Sequence, residues 1–136
     1  MDRIFTSQAW YDRLIPQGIP THTSTLITGP GGSGKPLIGN VVAAAWLRQG
    51  GSIVFMSLQY PTHEFIVMGL KNVAQLDLSE YRSQVAFIEL DIAQDGMISS
   101  GENHIKANLV KPDIWDAAID QACSLQIGRA SCRERV

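Results

Sequence analysis

Cysteine is nearly absent: only Cys123 and Cys132 occur in 136 residues. Two thiols nine positions apart make neither a disulfide framework nor a zinc pattern. Long hydrophobic runs are missing too, and no apolar stretch approaches the ~20 residues of a transmembrane helix. No run of basic residues occurs and the net charge is −2, so the composition does not indicate a nucleic-acid partner. The N-terminus, Met1-Asp2-Arg3-Ile4-Phe5, lacks the basic and apolar layout of a signal peptide. Repeats and low-complexity segments are also lacking. These absences point to a cytoplasmic chain with reduced thiols and no membrane partner. What remains, 45% hydrophobic and 18% charged residues, describes one ordinary globular domain at most.

The last ten residues, Ile127 to Val136, read IGRASCRERV. They are similar to one translated frame of a common short-read library adapter, whose next triplet is a stop. Gln126 can be shared with the adapter's first bases. The expectation is therefore a partial domain over residues 1–125 and a non-native, adapter-derived tail over 126–136. Setting aside Arg129, Arg133, Arg135 and Glu134 takes Lys+Arg from 11 to 8 and Asp+Glu from 13 to 12, a net charge of −4. Cys123 is then the only native cysteine, and it reads as a small buried helix residue rather than a nucleophile.

The order of elements carries the next inference. Thr23 to Thr28 is short, β-branched and apolar, which predicts a buried first core strand. A glycine-rich loop follows, and then Leu37 to Gln49 predicts a helix stopped by Gly50-Gly51. Ser52 to Ser57 reads as a second strand. Thr62 to Ala74 reads as a helix with Ile66, Val67, Leu70 and Val73 on its apolar face. Val85 to Leu90 reads as a third strand and the polar stretch Asp91 to Pro112 as loop. Asp113 stands where it could cap a last helix, with Ile114, Ala117, Ala118 and Ala122 or Cys123 on its buried side. Strands alternating with helices predict βαβ units around a parallel sheet.

The loop reads Gly29-Pro30-Gly31-Gly32-Ser33-Gly34-Lys35-Pro36. It satisfies G-x-x-x-x-G-K between a predicted strand and a predicted helix, the context in which backbone amides, a helix N-terminus and a lysine cradle phosphate. The pattern then fails. Its last position calls for Ser or Thr, whose hydroxyl holds Mg2+. Pro36 has neither a hydroxyl nor an N–H, although proline fits a helix's first turn. One base separates a Pro codon from a Ser or Thr codon, so a sequencing error and true degeneration both stand as origins.

The chain resembles the KaiC-like branch of the RecA-type P-loop ATPases. Members begin with a segment like T-G-I-P-G-L-D-E-L-L-x-G-G-I-P-x-G-S. Thr6, Asp12, Leu14, Gly18, Ile19 and Pro20 keep step with it, and Leu76 to Tyr81 resembles the family's G-x-D-L-x-x-Y. The resemblance covers Thr6 to Leu90 and, more loosely, reaches Leu125. It implies an α/β fold with a three-layer RecA-like P-loop core and a parallel sheet, here truncated at the C-terminus, since such a core takes about 200 residues. It further implies ATP as ligand, Mg2+ as its companion, and a homo-oligomer in the form of a hexameric ring.

The family also places an acidic pair, S-L-E-E, at the end of its second core strand, one glutamate activating the attacking water. This chain has Ser57-Leu58-Gln59-Tyr60. Glutamine can orient a water but cannot accept its proton as a carboxylate does. His63 and Glu64 read as exposed or capping residues rather than replacements. Trp46 reads as core, Trp10 and Tyr11 as packing residues that could flank a base, and His22 and His104 as isolated. The family's second motif, a hydrophobic strand ending in Asp, should follow the final helix, where the adapter-like tail stands instead. Three functions follow: an ATP-binding domain with impaired hydrolysis, a non-hydrolysing nucleotide-binding regulatory or scaffold subunit, and a nonfunctional gene fragment. A downstream strand ending in Asp would favour the first.

Overall fold

The computed structural model describes residues 3–58, 63–99, 101 and 103–124. A small N-terminal unit comes first. Strand β1 (Arg3–Ile4) pairs antiparallel with β2 (Ile19–Pro20), and helix α1 (Ala9–Leu14) lies between them in the chain. Its turn is tied by Asp12, whose carboxylate accepts from the Thr6 amide at 3.0 Å and the Thr6 hydroxyl at 2.8 Å. Tyr11, Ile19 and Val41 form a small core of their own, packed with Ile4, Ile15 and Val73.

The main body is a four-stranded sheet in the order β3-β4-β6-β5. β3 (Ile53–Ser57), β4 (Val85–Leu90) and β6 (His104–Ala107) run parallel, with Phe55 opposite Phe87 and Ile88 opposite Ile105. β5 (Met97–Ser99) pairs antiparallel with β6. Side chains alternate across a strand, so β4 serves two cores. Val85 and Phe87 meet Ala43, Ala44 and Leu47 of helix α2 (Lys35–Arg48) and Ile66 and Leu70 of helix α3 (His63–Ala74). Ala86 and Ile88 meet Ala118 and Ala122 of helix α4 (Pro112–Ser124) on the other face. The result is the expected three-layer α/β arrangement.

Helices α2 and α3 run side by side in the same direction. A Cβ on Gly69 would lie 2.5 Å from Asn40 Nδ2, so glycine lets the two backbones approach. At the far ends, the Arg48 guanidinium donates to the Ala74 carbonyl. A short 3-10 segment, Leu78–Gln84, leads into β4, started by Asp77, which accepts from Ser79 N at 3.0 Å. Gln84 ties it to the α2–β3 turn through the Leu47 and Gly51 carbonyls.

Three sequence expectations need correction. Ser24 to Thr28 is not a strand: the stretch is exposed, Leu26 86% and Ile27 37%, and no ladder joins it to a described strand. Its β-branched, apolar residues fit a buried strand, but a strand requires a neighbour to satisfy its backbone, and none lies beside it among the described residues. The sheet is mostly parallel as expected, β5 alone of its described strands reversing direction. Asp91 to Pro112 is not all loop, since it holds β5 and β6. α4 also begins one residue before Asp113, which lies within its first turn rather than capping it.

Candidate functional site

The glycine-rich loop closes directly onto α2. Ser33 folds it over, its amide donating to the Pro30 carbonyl at 3.3 Å and its hydroxyl to the same oxygen at 2.6 Å. Gly32 has φ 78° and Gly34 φ 84°, a left-handed region that a side chain would strain. Gly34 is the residue before the helix, and its carbonyl accepts from Leu37 N at 3.0 Å and Ile38 N at 3.2 Å. A Cβ added at Gly31, Gly32 or Gly34 would meet nothing within 4 Å. Space therefore stands open beside these backbone groups, and the amides of Gly31, Gly32 and Gly34 have no partner among the described residues. Exposed N–H groups at a helix N-terminus, with its partial positive charge, suit an anion.

Lys35 is the first residue of α2. Its ammonium folds back across the loop and donates to the Gly29 and Pro30 carbonyls, both at 2.8 Å. Those carbonyls hold the cation over the loop's mouth. Pro36 occupies the first turn without disturbing the helix, as its fixed φ and missing N–H allow. The fit to Mg2+ is poor at this end of the loop. Pro36 offers no side-chain hydroxyl, and the nearby Ser33 hydroxyl is turned to donate to the Pro30 carbonyl. Among the described residues no group of three or more His, Cys, Asp or Glu is arranged to hold a metal ion.

α2 returns through Gly50-Gly51 to the start of β3, so its beginning and the loop stand toward the C-terminal ends of the parallel strands. That is where open α/β sheets place ligands. Gln59 and Tyr60 come after β3 in the chain but lie outside the described residues, as do residues 125–136, which include the expected tail. Leu58, next to Gln59, is exposed.

A second polar cluster escaped the sequence reading. His63 opens α3 and is half-buried rather than exposed; Glu64 is exposed as expected. Glu89, near the end of β4, accepts from the His63 backbone N–H at 2.9 Å through Oε1. Its Oε2 lies 3.4 Å from His104 Nε2, and the His104 ring stacks on the His63 ring with centroids 4.8 Å apart. Phe87 closes the cluster edge-on to His63 at 4.3 Å. Burial lowers the His63 pKa from the ordinary imidazole value, and His104 pushes the same way against Glu64 and Glu89. His104 is therefore not isolated. No local spacing joins positions 63, 89 and 104; only the pairing of Phe87 with His104 across the sheet does.

The remaining expectations fall mostly on packing. Trp46 is half-buried, with its indole N–H donating to the Ser52 carbonyl at 3.1 Å. Tyr11 is buried and Trp10 exposed, the two rings meeting edge-on at 5.4 Å. Cys123 is half-buried on α4 and in no disulfide among the described residues. No helix among the described residues is long and apolar enough to cross a membrane.

No family model matches the chain, and no solved structure matches it closely. A curated protein does: over 107 residues the chain is 31% identical to the DNA repair and recombination protein RadB of Methanoculleus marisnigri. The match takes in 77% of this chain but 46% of the relative, so the chain spans about half the length of the protein it resembles. Together with the mostly parallel α/β fold, this likeness reaches the RecA superfamily of P-loop ATPases and no narrower branch of it.

Proposed function

We propose that this chain binds ATP through the loop Gly29 to Pro36, as part of a RecA/KaiC-type ATPase whose hydrolysis is impaired here. The observation that carries the reading is the loop itself. Open glycine amides and the Lys35 ammonium converge at the start of α2, where phosphate oxygens would exchange for the carbonyls of Gly29 and Pro30. Phosphoryl transfer rests almost wholly on positioning and charge stabilisation. Pro36 withholds the Mg2+ hydroxyl, and Gln59 and Tyr60 replace the acidic pair that the KaiC-like pattern places there. The KaiC-like branch, the ring-shaped homo-oligomer and a cytoplasmic setting belong to this proposal.

Pro36 also favours a second reading, a nucleotide-binding subunit that does not hydrolyse. Nucleic acid stays among the partners to test: a chain similar to a DNA repair and recombination protein gives no ground for setting it aside, even without a basic run. The full chain incubated with ATP and Mg2+ separates the readings. Equilibrium dialysis should find nucleotide bound in either case; slow phosphate release above background supports the impaired ATPase, and release at the background rate supports the non-hydrolysing subunit. Turnover equal to that of an intact KaiC-like control would overturn the impaired reading, and no bound nucleotide would overturn both.

A further inference from the structure

We propose that His63, Glu89 and His104 form a proton-operated latch on the start of α3. The three residues come from three elements, and each contact has a distinct part. The Glu89 carboxylate accepts the first backbone N–H of α3 at 2.9 Å, the place where a helix favours an anion. Its other oxygen faces His104 Nε2 at 3.4 Å, and that buried nitrogen has no hydrogen-bond partner. The His63 ring lies nearly parallel on the His104 ring, 16° between planes, with Phe87 behind it.

This arrangement distinguishes one proton from two. A proton on His104 would turn its 3.4 Å contact with Glu89 into an ion pair. Such a pair leaves the Glu89 bond to the His63 amide in place. A second proton, on His63, sets two imidazolium rings face to face with centroids 4.8 Å apart in a half-buried site, where like charges oppose each other strongly. The surroundings supply little relief. Glu64 lies beside His63 on α3 and is exposed. Alternation puts Lys106 of β6 on the same face as His104, which adds positive charge. β3 carries no charged residue, and the α2 side chains facing Gly69 of α3 are Leu37 and Asn40.

The direction with pH follows. The fold favours neutral His63, burial being the main cause and His104 the second. The stability this contributes is complete above the ordinary imidazole range, near 6.5. It is lost as pH falls through the depressed value of His63, because the unfolded chain then binds more protons. Opening the latch frees the start of α3, four positions after Gln59 in the chain. The inference does not depend on the nucleotide reading.

A histidine titration of the full chain by NMR tests it, and the exposed His22 provides a reference inside the same spectrum. His63 should titrate below His22, and the backbone amide signals of His63 and Phe65 should move with the His63 midpoint. In His104→Gln the His63 midpoint should rise; in Glu89→Gln it should fall. If His63 titrates with His22 and its midpoint is the same in His104→Gln, the latch does not exist. The unmodified chain carries the test even where a variant fails to fold, since coincident His63 and His22 midpoints there already overturn it.

Discussion

Replacing Lys35 by alanine separates the loop's role from its stability. In the chain without ligand, the Lys35 ammonium makes two bonds of 2.8 Å to the Gly29 and Pro30 carbonyls, both at exposed positions. Exposed charged contacts contribute about 0–1 kcal/mol, so the urea midpoint of Lys35→Ala should stay close to that of the parent. Binding should respond differently. A hydrogen bond to a charged group is worth about 1.5–3 kcal/mol, and against phosphate the ammonium supplies both charge and bond. Its removal should weaken ATP about 10- to 150-fold, at roughly 1.4 kcal/mol per decade. Lys35→Arg, which keeps the charge on a differently shaped head, should fall between. Calorimetric titration with ATP reads the affinity, and urea unfolding of the same samples reads the stability. Equal affinity in parent and alanine variant, with both folded, would refute the phosphate role of Lys35. A large loss of stability would refute the claim that its carbonyl bonds are incidental to the fold.

Leu70, fully buried between α2, α3 and the sheet, should cost about 2–5 kcal/mol as Leu70→Ala, as buried leucines do; urea unfolding checks this, and a loss below about 1 kcal/mol would mean α3 packs loosely. Pro36→Thr should make ATP affinity depend on Mg2+ by about tenfold or more, a difference of roughly 1.4 kcal/mol. The parent's affinity should be nearly indifferent to chelation by EDTA, and an equal response in the two would show that Pro36 is not what weakens Mg2+. Asp12 and Asp77 both have lowered pKa values, Asp12 through its bonds from Thr6 and Asp77 through those from Ser79. Their contribution is complete above the ordinary Asp value, near 3.9, and is lost as pH falls through the depressed values. Circular dichroism against pH should show Asp12→Asn and Asp77→Asn with a shallower acid loss than the parent.

Much of the main body was legible because local signals and tertiary packing agree. Of the expected face Ile66, Val67, Leu70 and Val73, Ile66 and Leu70 are buried and the two valines half-buried, and Val85 to Ile88 is both apolar and central in the sheet. The turns at Gly32 and Gly34 were readable from single residues, since a φ above zero favours glycine. Ser24 to Thr28 failed because a strand is a pairing and not a composition. β6 was missed because its alternation, with Ile105 and Ala107 inward, lasts only four residues amid polar chain. The His63 cluster was invisible for a related reason: its members lie 26 and 15 positions apart in sequence, and only the register of β4 and β6 gathers them.

ATP docking on the backbone of the glycine loop should register at the loop's own amides. Proton–nitrogen correlation spectra of the full chain, recorded through an ATP titration, address those amides directly. The largest, saturable shifts should fall on Gly31, Gly32, Gly34 and Lys35, and Lys35→Ala should diminish them. ATP that leaves these four signals in place, or that shifts only residues remote from the start of α2, would contradict it.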